Sequence, residues 1–133
     1  MTRAHDRNFI YDRLIGVPDN SRNWCIASKY IFQGIKIYIY YIREGIATVV
    51  KAKGPPYKDY TIVNEWNDSL PEIYPIRVNT EPYLRSQNFI RLGVLQQLGI
   101  RRVDTNTIIV PYHLQSSLTP ISDNDGNIIE SRL

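Results

Sequence analysis

Nine residues from Gly34 to Ile42, GIKIYIYYI, constrain this chain more than any other stretch. They are apolar or aromatic almost throughout, and the β-branched and aromatic types suit a pleated surface. The run is too short for a buried helix and is bounded by turn formers, so it reads as a central strand buried on both faces. REG then turns the chain, and IATVVKA, Ile46 to Ala52, returns as a hairpin partner. KGPP, Lys53 to Pro56, must leave the sheet, because two prolines cannot donate to a ladder.

The other elements follow from caps and periodicity. Asp6 heads an expected helix over Arg7 to Ile15, with Ile10/Leu14 and Tyr11/Ile15 four apart and Gly16 ending it. Asn20 or Ser21 heads a second short helix to about Tyr30. YKDYTIVNEWNDSLPE is turn-rich and reads as a long functional loop. YPIRVNT, Tyr74 to Thr80, is expected as a strand with Pro75 at its start. SQNFIRLGVLQQLG is expected as a helix from Ser86 to Gly99, with Ile90, Val94, Leu95 and Leu98 as its stripe. NTIIVPY reads as a short strand, and TPISDNDGNIIE as two extended arms around an Asp-Gly turn. Short consecutive strands joined by turns imply an α+β domain: a small mixed or antiparallel sheet curled into a barrel and flanked by helices. At 133 residues one domain is expected.

Composition narrows the function. The net charge of +3 permits a polyanionic partner without requiring one. Cys25 is the single cysteine, which excludes an internal disulfide and any Cys-based zinc site and points to a reducing, cytoplasmic setting. MTRAHDRNF has no apolar centre, so no signal peptide is expected, and no apolar run approaches the ~18 residues a membrane helix needs. Ile and Tyr richness with one Cys and one Met is compatible with a thermophilic archaeal source. His5 and His113 stand far apart and outside any metal spacing. DNDG, Asp123 to Gly126, lacks the remaining ligands of a calcium loop. With no phosphate loop and no nucleophile motif, neither an enzyme nor a cofactor or metal is expected.

Two tryptophans suggest binding. Trp24 in SRNWCI and Trp66 in VNEWND both sit in polar, turn-rich contexts beside an Asn. Aromatic faces stack on bases and Asn pairs with a base edge, so this is the minimal set for holding one flipped-out base. The alternative is that both rings cover the open ends of a barrel core.

The order GVPDNSRN, GIKIYIYY, GIATVVKAKGPPYKD and YPIRVNTEP, over roughly residues 8 to 82, resembles the EVE domain of the PUA-like superfamily. The matching positions are Gly16-Val17, Arg22-Asn23-Trp24, Gly34 to Tyr40, Gly45-Ile46 with Val50, Tyr57 with Asp59, and Arg77-Val78 with Pro82. The ending TPISDNDGNIIE is similar to that of the related YTH domains, with Asp125-Gly126 in place. Pro18 stands where that branch has its first cage Trp, and Trp66 falls in the region of the second. The family's apolar first strand has no counterpart in MTRAHDR, so that strand is expected to be missing or altered.

The resemblance implies a PUA-like barrel that reads a modified base of RNA or DNA without catalysis. Asn23 would bond the base edge, Trp24 and Trp66 would form walls, and Ser21 and Asp123 would complete the pocket. Arg22, Lys51, Lys53 and Arg77 would contact phosphates. The competing expectations are a protein-interaction module that keeps the fold without a working pocket, and a small ASCH-like nuclease or amidohydrolase using a residue such as Glu65.

Overall fold

The hairpin forms where the sequence places it, but its first strand lies at the edge of the sheet and not at its centre, and four of its six residues are only half-buried. Strand β2 (Lys36–Tyr41) pairs antiparallel with β3 (Gly45–Ala52), with Lys36 opposite Lys51 and Tyr41 opposite Gly45. Gly45 closes the turn at φ +117°, and a side chain there would overlap the Ile90 carbonyl. This computed structural model describes residues 13–61, 63, 74–110 and 118–133.

The remaining strands complete a curled antiparallel sheet in the order β1-β5-β3-β2. Strand β1 (Leu14–Val17) runs against the start of β5 (Ile76–Ile90), with Ile15 opposite Val78. The two-residue β4 (Tyr57–Lys58) pairs with Arg77 and Ile76 on the other side of β5. Alternation along β2 sends successive side chains to opposite faces, so one strand serves two cores. Ile39 and Tyr41 join Ile15, Val50, Ala52 and Val78 on one face. Tyr38 and Tyr40 pack on the other, against Ile46, Ile90, Leu95, Ile100, Ile109 and Ile129. Each of these buried side chains contributes roughly 1.5–3 kcal/mol.

Helix α1 (Ser21–Tyr30) begins where expected. Asn20 is its cap, its side chain accepting from the Asn23 amide at 2.8 Å, while Ser21 is simply the first helical residue. Asn23, Ile26 and Ala27 form its buried face. Ala27 packs with Val17 and Ile76, and Trp24 lies against them. Residues 53–56 leave the sheet, and Pro75 directly precedes β5.

Four further expectations change. Leu14 and Ile15 belong to a strand, not to the end of a helix, because Ile15 and Val17 alternate into the core opposite β5; residues 7–12 of that expected helix lie outside the described residues. The expected helix from Ser86 is strand as far as Ile90, and only Leu92–Gln97 is helical (α2). Thr48 pairs with Arg85 and Ile46 with Ile90, so β3 holds this stretch extended while Ser86 to Phe89 bulge. The expected strand at NTIIVPY is a single bridge between Arg101 and Ile108; Pro111 and Tyr112 lie outside the described residues. The terminal hairpin is helix α3 (Asp123–Ser131). Ser122 caps it by accepting from the Asp125 amide, and Gly126 is a contact residue where the Tyr38 hydroxyl would lie 2.6 Å from any added Cβ.

Candidate functional site

The end of β1, the far end of α1, the edge strand β2 and the segment leading into α3 surround an open cleft of about 960 Å³. Its walls are largely apolar and include Tyr30, Tyr38, Tyr40 and Tyr74, with Phe32 at 58 % exposure. Besides the tyrosine hydroxyls, the polar side chains are Lys29, Gln33, Lys36, Thr119, Ser122, Asp123 and Asn127. Large apolar clefts carrying a few polar groups are the usual form of a ligand site. Burial pushes the Tyr38 hydroxyl up to about 12, with the neighbouring Glu130 carboxylate adding to the effect. It is therefore a neutral donor across ordinary pH.

The expected pocket residues divide around this cleft. Asp123 lines it from the first turn of α3, and Pro18 lines it from the end of β1. Asn23 and Trp24 do not line it. Asn23 is fully buried; its amide donates to the Pro18 carbonyl at 2.9 Å, and its oxygen accepts from the Leu118 amide at 3.3 Å. It is a strut that fastens two cleft-lining segments to α1. Ser21 and Arg22 are exposed on the first turn of α1. Trp66 and Glu65, like His5 and His113, lie outside the described residues.

Trp24 instead anchors a second cluster. The Lys58 ammonium lies 4.8 Å from its ring centroid and pairs with Asp19 at 3.2 Å. The Tyr60 hydroxyl donates to the same Asp19 carboxylate, and together with Lys58 it holds that group below the usual carboxylate range. This closes the GVPDN turn against the segment that follows β4.

The four expected phosphate contacts do not share a surface role. Arg77 is 3 % exposed; its guanidinium donates to the Tyr74 carbonyl at 3.0 Å and to Thr61, and pairs with Asp59 at 3.5 Å. It is a buried brace between residues 59–61 and 74. The Thr61 amide, Thr61 hydroxyl and Arg77 in turn lower the Asp59 carboxyl. Lys53 is exposed just past β3, where its backbone amide donates to Asn79. Lys51 is half-buried on β3, opposite Lys36.

The tyrosine walls are what sequence reasoning missed. Tyr38 and Tyr40 stand in the strongest strand signal, where strand propensity alone explains an aromatic. Their alternate spacing was the one available sign that they share a face. Among the described residues no group of three or more His, Cys, Asp or Glu could hold a metal ion, and no helix is long and apolar enough to cross a membrane. No family model matches the chain, and no curated protein matches it.

Proposed function

We propose that this chain is a non-catalytic nucleic-acid-binding domain of the PUA-like, EVE-related kind, which takes one unstacked, modified base of RNA or DNA into its cleft. The observation that carries the reading is the cleft itself, open and walled by tyrosines, with the Asp123 carboxylate at its edge. Tyrosine faces stack on any base, and a carboxylate accepts from the exocyclic amine of cytosine or adenine. Asn23 acts in this reading as the strut that sets the Pro18 and Leu118 walls, and Trp66 remains the proposed second wall. Arg22 and Lys53 are exposed and suited to phosphates; Arg77 supports the fold. The curled antiparallel sheet, with a helix between its first two strands and another at its end, is compatible with such a barrel.

The test is a titration of short single-stranded RNA and DNA carrying a central N6-methyladenine, a central 5-methylcytosine or the plain base. Selective binding of one modified probe, weakened about tenfold or more by Tyr74→Ala and by Asp123→Asn, is the expected result. Absence of binding at low salt across the panel would sink the reading. The exposed Phe32 at the mouth of the same apolar cleft favours a second reading, a protein-interaction module. That reading gains if Phe32→Ser leaves every oligonucleotide titration unchanged and abolishes capture of an apolar peptide.

A further inference from the structure

On the sheet beside the cleft, one exposed aromatic carries two cations. Tyr83 of β5 is 45 % exposed. The Lys36 ammonium lies 4.5 Å from its ring centroid and the Lys51 ammonium 4.8 Å. The two lysines come from neighbouring strands, paired directly across β2 and β3. Glu130 of α3 neutralises only Lys36, at 2.9 Å. Lys51 faces Glu81 in register, yet among the described residues it forms no ion pair within 4.0 Å. Lys36 also lines the cleft, so the cluster and the cleft share a residue.

Because an aromatic flanked by cations is the element that single-stranded nucleic acids track, we propose that Tyr83, Lys51 and Lys36 form a second subsite that receives the nucleotide flanking the base held in the cleft. This rests on the reading of the cleft as a base site. The flanking base stacks on Tyr83, and its phosphate takes the charge of Lys51 that the fold leaves uncompensated. Lys36, held toward Tyr83 by Glu130, marks the passage from cleft to platform. The subsite is indifferent to sequence, since every base offers a π face. The cleft would choose the base, and the platform would hold the strand.

The experiment uses the full chain and fluorescein-labelled probes, read by anisotropy. One probe is the modified base as a labelled mononucleotide, with no flanking nucleotide, and the other is a strand of about nine nucleotides around the same base, within the range of single-strand sites. Tyr83→Ala should weaken the longer probe about tenfold while the mononucleotide changes less than about twofold. Lys51→Gln should lower the salt slope for the longer probe by about 0.7. Arg43→Asn, in the turn at the opposite end of the hairpin, is the control and should change neither. If the longer probe binds and Tyr83→Ala and Lys51→Gln weaken it no more than Arg43→Asn does, the platform is overturned while the cleft reading stands. If the longer probe depends on Tyr83 but binds no better with the modified base than with the plain one, the cleft reading falls and the flanking role falls with it, leaving Tyr83 and Lys51 as a nonselective strand contact. Failure of both probes to bind overturns both.

Discussion

Two aromatic–lysine clusters stand on different parts of the sheet, and they differ in charge balance. Around Trp24, one ammonium meets one carboxylate: Lys58 pairs with Asp19, and Tyr60 adds a hydrogen bond to the same group. Around Tyr83, two ammoniums meet one carboxylate, and Lys51 is left with an aromatic face in place of an anion. The first arrangement satisfies itself and serves as a fastening. The second keeps a charge available and suits an incoming anion. The same contact, an ammonium over a ring, therefore serves opposite ends according to how many carboxylates stand beside it.

The strongest way to break the comparison is to remove the foundation of the Trp24 side. Asn23→Ala would leave the Pro18 carbonyl and Leu118 amide, both on half-buried residues, without the amide partner that now joins them. A loss of about 2–4 kcal/mol is expected in urea unfolding, from two groups at roughly 1–3 kcal/mol each. On the other side, Gly126→Ala would press a methyl group into Tyr38, whose hydroxyl lies 2.6 Å from the added atom. Overpacking of this kind costs about 1–3 kcal/mol, and the shift should loosen the neighbouring Lys36–Glu130 pair. Methyl NMR of Ile129 beside native Tyr38 would report it.

Alkali and acid should separate the clusters more gently. The Tyr38 hydroxyl is raised from 10.0 to about 12 by burial. Its contribution is complete below pH 10 and is lost as pH climbs towards 12, because the unfolded chain ionises first. Lys36 is raised from 10.5, so it pushes the same way. Alkaline destabilisation should flatten in Tyr38→Phe by about 1 kcal/mol, after discount for a half-exposed ring. At the other extreme, Asp19 is depressed from 3.8, so its contribution is present above that value and fades as pH falls through the lower folded one. Its protonation frees Lys58 from Trp24, and a tryptophan emission change below pH 3.8 should vanish in Asp19→Asn. This is the smallest effect.

Much of the frame was legible where local signals agreed with tertiary need. Asn20 caps α1, and the Gly34 to Ala52 hairpin forms, its second strand buried almost throughout while its first is a half-buried edge. Legibility failed where a local signal was overruled by a distant partner. Residues 86–90 read as the first turn of a helix capped by Ser86, but β3 needs Arg85 and Ile90 as pairing partners. Pro82 would argue against a strand interior, yet the register shift between Val49 and Val50 admits it. Asp125-Gly126 has turn chemistry, but Ser122 starts a helix there and Tyr38 needs the bare Gly126. The site shows the same division. Asn23 stands out in the sequence as a polar residue beside a Trp, but its structural use depends on Leu118, which no local pattern connects to it. Arg77 looked like any surface cation until Thr61 and Asp59 closed over it.

The Asn23 strut also dictates when the molecule can be finished. Its oxygen bonds an amide 95 residues later in the chain, and Lys36 waits for a carboxylate 94 residues later. Contacts of such separation slow folding, because a long loop must close before they are gained. On a ribosome, the hairpin and α1 emerge well before Leu118 and Glu130 exist. The nascent chain must carry an unfastened α1 and a half-covered sheet until residues 118–130 have emerged, and that stretch acts as the clasp that locks a structure begun around α1 and the hairpin.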